Sequence, residues 1–213
     1  IVERLVKQVI HKTLNGYAHQ YQGQKIDWSS PWSRIDYYEV FNKYTGLDLT
    51  SAQEKELKKY AQDNSIDVKK HLGRGRLIDI IFKKMVKPNL IEPGFLVLPP
   101  VEIEPLAKRC PQDTNKVERF QIVACGSELG KGFSELNDPP DQRKRFEEQT
   151  KLGEAGDKEA QRMDEDFVEA LEYGMPPTAG FAYSERLFAF IMDKPVRETV
   201  FFPLMKPRSG QAE

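Results

Sequence analysis

The stretch RFQIVACGSELGKGFSELND, residues 119–138, constrains this 213-residue chain more than any other. Phe120, Ile122 and Ala124 alternate with Gln121, Val123 and Cys125, which is the period of a half-buried strand. Gly126-Ser127 supplies a turn, so the stretch predicts a β-hairpin. On the return strand Gly130 and Gly132 weaken pairing, and such glycines mark a bulge or a close approach of the backbone to something else. The same strand carries two acids, Glu128 and Glu135. A surface hairpin with solvated carboxylates and a floor for a charged ligand are both compatible with that spacing. An odd separation puts the two acids on opposite faces of a regular strand. They can serve one site only if a bulge intervenes, and Gly130 or Gly132 is the expected place.

The rest of the chain must cover such a hairpin. Ile1, Val2, Leu5, Val6, Val9, Ile10 and Leu14 repeat at helical spacing, predicting an amphipathic helix over 1–14 closed by Asn15-Gly16. A hairpin-like pair follows near Tyr17–Tyr21 and Lys25–Trp28, then a short helix over 35–44 stopped by Gly46. Ser51-x-x-Glu54 reads as a capping box opening a polar helix to about Asp63. A second helix after Gly73 and Gly75 carries Leu77, Ile78, Ile81, Phe82 and Met85 on its buried side, so 51–88 reads as a helical insertion lying on the main sheet. FLVL at 95–98 is a strand, and proline-punctuated 99–111 is extended and irregular, with Lys108 and Arg109 facing either a phosphate or, as the favoured reading, solvent. Asp138 caps a helix with Pro139 at its first position, and Asp164 caps another that Gly174 stops. A short strand over 180–183 meets a helix beginning near Ser184, with Leu187, Phe188, Phe190 and Ile191 buried, and a last apolar strand lies in 198–207.

Composition limits the partners. Lys+Arg 32 against Asp+Glu 33 leaves a net charge of -1, so any nucleic-acid contact must be local. Two cysteines, Cys110 and Cys125, are too few for a disulfide scaffold and lack zinc spacing, and a reduced cytosolic setting fits them. His11, His19 and His71 sit in unrelated segments, and no apolar run approaches the ~20 residues of a membrane span. The chain opens at Ile1 directly inside a helical pattern, which predicts that it begins within a longer protein.

Arg186 stands where the small-residue strand Gly180, Ala182, Ser184 meets a helix start. A guanidinium there could stack on a base or fork a phosphate, or be an ordinary first-turn charge. Three segments taken together, VEIEPLAKR, ELGKGFSELNDPPDQRKRFEEQ and ALEYGMPPTAGFAYSERLFAFIMDKPVRETVFFPLMKP, resemble the C-terminal half of a class II lysyl-tRNA synthetase catalytic domain, in the same order and spacing over most of 99–207. FSELNDP with a downstream EYGMPPTAG is specific to the lysine enzymes of the lysine, aspartate and asparagine subgroup.

The resemblance implies an α+β fold over 1–207: a partial class II antiparallel sheet flanked by helices, with the insertion at about 51–88 and a tail at 208–213. It implies a ligase that activates lysine with ATP and Mg²⁺ and transfers it to tRNA(Lys), cytoplasmic, not membrane-bound, and homodimeric in the full-length protein. By position, Glu128 matches a carboxylate on the Mg²⁺ that bridges ATP phosphates, and Glu135 the acid that pairs with the lysine ε-ammonium. Phe133 matches an aromatic wall of the lysine pocket. Arg186 matches the third-motif arginine that packs on adenine and serves catalysis, beside Gly180 and Ala182 of the ATP site. The chain departs from the family pattern at Gln121, where a second metal-binding glutamate is usual. It departs again at Lys131, where an asparagine usually contacts the amino acid, and at Ala182, which replaces a glycine. The family's N-terminal oligonucleotide-binding barrel and first two motifs have no counterpart in these residues. The resemblance therefore implies that this polypeptide alone lacks most of the activity. A paralogue that lysylates a translation factor and a non-catalytic lysine- or nucleotide-binding module are the alternatives.

Overall fold

A computed structural model of the chain describes residues 1–69, 72–157 and 160–203. Helix α1 (Val2–Leu14) ends on Asn15 in the left-handed region and leads into the two-stranded hairpin β1 (Ala18–Tyr21) and β2 (Gln24–Asp27). Strand β3 (Ser33–Asp36) runs straight into α2 (Tyr37–Thr45), which Gly46 closes. Helices α3 (Glu54–Asp63) and α4 (Arg74–Ile81), a π-helical turn (Phe82–Val86) and a 3₁₀ turn (Lys87–Asn89) precede β4 (Gly94–Val97). A 3₁₀ turn (Val101–Ile103) and an irregular segment lead to β5 (Arg119–Ala124) and β6 (Ser127–Ser134). Then come α5 (Pro139–Glu154), α6 (Glu165–Glu172), β7 (Ala179–Tyr183) and α7 (Arg186–Ile191). Among the described residues no helix is long and apolar enough to cross a membrane.

The main sheet has the order β3-β4-β5-β6-β7. It is antiparallel except for β3, which the sequence did not reveal and which pairs parallel to β4. Four residues of Ser33–Asp36 are too few to show a period, and Asp36 also caps α2 by accepting from the N–H groups of Tyr38 and Glu39.

Each face of the sheet is packed by different elements. Under one face, Val6 and Ile10 of α1, Ile26, Trp28, Trp32 and α7 residues Leu187, Phe190 and Ile191 gather on Ile122, Ala124 and Leu129. Burial of side chains the size of Ile10 or Ile122 contributes about 1.5–3 kcal/mol each. Over the other face, Tyr37 and Phe41 of α2, Leu57 of α3, and Leu77, Ile78, Ile81 and Phe82 pack on Leu96 and Val123. The upper layer covers β4 and part of β5 and leaves β6 and β7 open.

Several local expectations change. The hairpin turn is Cys125-Gly126, both with positive φ (44° and 67°), the geometry of a two-residue type I′ turn. Their N–H groups donate to Ile91 and Leu90, which docks the turn on 90–91. Helix α3 begins at Glu54, and Glu56 accepts the N–H of Gln53, because Ser51 is engaged with Asp48 in the preceding turn. Phe188 is 53% exposed, since α7 is too short to bury both sides. Residues 199–203 form no strand, with Phe201 and Phe202 exposed beyond a 3₁₀ turn (Val196–Glu198). Positions 204–207 of that expected strand, the 208–213 tail and His71 lie outside the described residues.

Candidate active site

The odd spacing of Glu128 and Glu135 is resolved by a bulge. Ile122 pairs with Gly130 while Val123 pairs with Glu128, leaving Leu129 as an extra residue in β6. Leu129 drops into the lower core, and Glu128 turns upward beside Lys131 and Phe133. Gly132 faces the lower side, where Phe120 and Phe181 stack across it at 5.7 Å. An added Cβ would meet Phe120 Cζ at 2.6 Å and the Gly180 carbonyl at 2.8 Å. The close approach signalled by that glycine is therefore to the aromatic core beneath and the neighbouring strand.

The open upper face is the floor of a cleft of about 630 Å³. Gln121, Glu128, Lys131, Ala182 and Arg186 line it from the sheet, the last from the junction of β7 and α7. Arg76, Asp79 and Lys83 form one wall, and Glu148, Gln149 and Leu152 of α5 another. Glu135, Phe133 and Gly180 continue the same face just beyond this lining. Phe133 pairs with Gly180, and Lys131 with Ala182.

Charges on the floor are mostly committed to one another. Glu104, nearly buried, holds Lys131 Nζ at 3.2 and 3.1 Å and Arg119 Nη1 at 3.2 Å. Arg119 also donates from Nη2 to Gln121 Oε1 at 2.6 Å. Lys87, just past the π-helical turn, reaches Glu128 Oε1 at 3.4 Å. Two groups differ. The Glu135 carboxylate is half-buried over Gly180 with no hydrogen bond or ion pair among the described residues. Burial, and then the negative charge of Glu104, raises its pKa above the ordinary carboxylate range. The exposed Arg186 guanidinium likewise has no partner among the described residues, its backbone N–H donating to Ser184 Oγ at 3.2 Å.

Lys108 and Arg109, expected in solvent, are structural ties. Lys108 donates to Asn137 Oδ1, and Arg109 forks Asp141 at 3.0 and 3.1 Å. Buried Arg145 binds the same Asp141 and the Ala107 carbonyl, so the start of α5 is anchored to the segment that carries Glu104. Sequence reasoning missed Glu104, Arg119 and Lys87 as floor residues. Glu104 and Lys87 act on residues far along the chain, and the Glu104–Arg119 pair likewise spans more than ten residues, so local spacing does not signal them. Among the described residues no group of three or more His, Cys, Asp or Glu could hold a metal ion.

A model of the family described as tRNA synthetases class II (D, K and N) matches residues 1–206. The chain is 40% identical over 215 residues to a lysine–tRNA ligase of Thermotoga maritima, a match covering 100% of this chain and 42% of the relative. It is 42% identical over 205 residues to a lysine–tRNA ligase of Christiangramia forsetii, covering 95% and 36%. Against a lysine–tRNA ligase of Bacillus subtilis it is 39% identical over 211 residues, covering 98% and 42%. The chain thus spans about two fifths of the length of these relatives.

Proposed function

This chain belongs to the class II tRNA synthetases of the D, K and N group, and we propose from that membership that the protein joins lysine to tRNA(Lys). A lysine carboxylate oxygen attacks the α-phosphorus of ATP, the bond to the departing pyrophosphate breaks, and lysyl-adenylate forms. A tRNA ribose hydroxyl then takes the lysyl group and AMP leaves. No protein nucleophile is needed, and the residues contribute position and charge.

One observation carries the reading. Glu135 keeps a half-buried carboxylate on the open face of the sheet that is unpaired among the described residues. A desolvated carboxylate without a cation is costly, and an ammonium from a ligand relieves it. Glu135 is accordingly the acid for the lysine ε-ammonium, Phe133 is the wall for its aliphatic stem, and Lys131 stands next to Phe133 on the same face. Arg186, unpaired among the described residues, packs on adenine, with Gly180 on the preceding strand and Ala182, in place of a glycine, narrowing the room beside it.

A Mg²⁺ ion fits this donor set in one way. It prefers oxygen ligands and is commonly held by one or two carboxylates together with substrate phosphates. Glu128 supplies such a carboxylate, whereas Gln121 becomes a second ligand only if its oxygen is released from Arg119. Bound there, Mg²⁺ would neutralise phosphate charge. Cytoplasmic residence and a homodimeric full-length protein accompany the assignment.

The test is lysine-dependent ATP–pyrophosphate exchange by the full-length protein. Exchange that requires lysine and is not evoked by aspartate or asparagine is the expected result. Lysine binding without exchange would leave a non-catalytic binding module.

A further inference from the structure

We propose that Glu104 is a specificity-determining residue, which fixes the Lys131 ammonium and so keeps Glu135 free for a cationic substrate. The inference rests on the reading of Glu135 given above and extends it to a residue outside the sheet.

Lys131 poses a problem for a pocket that takes an ammonium. It shares the cleft face with Phe133 and Glu135, and residues two apart on a strand stand about 7 Å apart. Its Nζ leans over the Phe133 ring, 5.5 Å from the centroid, which is the direction of Glu135. An unrestrained ammonium there would repel a lysine side chain, or would pair with Glu135 and take the substrate's place.

Glu104 prevents both. It binds Lys131 through both carboxylate oxygens, and Arg119 Nη1 meets the same carboxylate at Oε2. Glu104 is itself fixed, with a side chain only 10% exposed. Three interactions hold the segment around it: Ala107 N–H donates to the Glu104 carbonyl, and Arg145 donates to the carbonyls of Pro105 and Ala107. Lys131 and Arg119 share the Glu104 carboxylate as their counter-charge. Removing the charge of Glu104 leaves the Lys131 ammonium without it at the place where a substrate cation must enter.

A four-variant set in the full-length protein tests this, with lysine and ATP KM taken from ATP–pyrophosphate exchange. Glu104→Gln should raise the lysine KM by about tenfold, the effect of one uncompensated charge at this range in a protein, with ATP KM moving less than about twofold. Adding Lys131→Gln to Glu104→Gln should bring the lysine KM back to within about threefold of the parent, since the offending charge is gone. Lys131→Gln alone should lower the lysine KM. Equal impairment of Glu104→Gln and the double variant overturns the proposal, as does a parallel rise of lysine and ATP KM. If Glu104→Gln does not fold, Lys131→Gln decides by direction, because a raised lysine KM would make Lys131 a substrate ligand. Glu135→Gln separates the two layers of the argument. A lysine KM unmoved by it overturns both assignments, whereas a raised one with no rescue in the double variant removes only the role of Glu104.

Discussion

Glu128 and Glu135 face the same side of the sheet because Leu129 is one residue too many for its strand. Without that residue, Glu128 would point down into the layer holding Ile122, Phe120 and Phe181. The bulge sits between Glu128 and Gly130, where the register to β5 shifts by one residue and just before the pairing with β7 begins at Gly130↔Tyr183, so it re-aims one carboxylate while the ladders continue beyond it. It turns an unremarkable hairpin into a floor with an acid at each end of a Lys131–Phe133 stripe.

The unpaired state of Glu135 predicts a trade between binding and stability. A carboxyl whose folded pKa is raised binds protons more readily when folded than when unfolded, so it costs stability as pH rises through its folded pKa. Glu135→Gln should therefore raise Tm at pH 7, with the difference closing below about pH 4. The same change should raise the lysine KM far more than the ATP KM. Thermal melts from pH 3.5 to 8 beside exchange kinetics would check both, and a lower Tm at neutral pH would contradict the first.

Two glycines on neighbouring strands should respond to alanine in opposite ways. At Gly132 the new Cβ meets Phe120 and the Gly180 carbonyl, so overpacking should cost about 1–3 kcal/mol, seen as a lower urea midpoint. At Gly180 it meets only Glu135 Oε1, at 2.9 Å, the free end of a side chain. Gly180→Ala should leave the urea midpoint nearly unchanged and displace the carboxylate, raising the lysine KM by roughly tenfold, which corresponds to about 1.4 kcal/mol.

Much of this was readable from local signals. Helix ends at Asn15, Gly46, Asp138 and Asp164 follow from capping chemistry, and the need for a bulge follows from the parity of two glutamates, although the extra residue is Leu129 and not Gly130 or Gly132, both of which keep their ladder partners. What stayed hidden depends on long-range pairing. Strand β3 is defined only by its partner β4, and the type I′ turn falls at Cys125-Gly126 because 90–91 accept its N–H groups. Lys131 could be singled out as a cation in the wrong place. The carboxylate that accommodates it lies 27 residues earlier, in a segment with no secondary-structure period of its own.

Asp141 should act on that segment from a distance. Burial alone would raise its pKa, but hydrogen bonds from Arg145 and Arg109 outweigh this and hold it at about 2. A depressed carboxyl contributes stability above its unfolded pKa, near 4, and loses it as pH falls through the folded value. Asp141→Asn should cost about 2 kcal/mol in urea unfolding at pH 7, given solvent screening of Arg109, and nearly nothing at pH 2. A loosened α5 should also raise the lysine KM by way of Glu104.

Lys87 and Glu128 make the last prediction. The ammonium stands 3.4 Å from Oε1 of the carboxylate proposed to hold a phosphate-bound Mg²⁺, and both side chains are about four-fifths buried. Two cations on one carboxylate repel each other, so the ammonium would compete with the metal for Glu128. Lys87→Met keeps the aliphatic stem and removes the competitor. The Mg²⁺ concentration giving half-maximal exchange should fall by about threefold, an effect under 1 kcal/mol, while Glu128→Gln should raise it well above the parent value. A rise for Lys87→Met would instead mean that Lys87 leaves Glu128 to bind ATP phosphate directly. The two outcomes have opposite signs, so a single Mg²⁺ titration of exchange rate separates a competitor from a phosphate ligand.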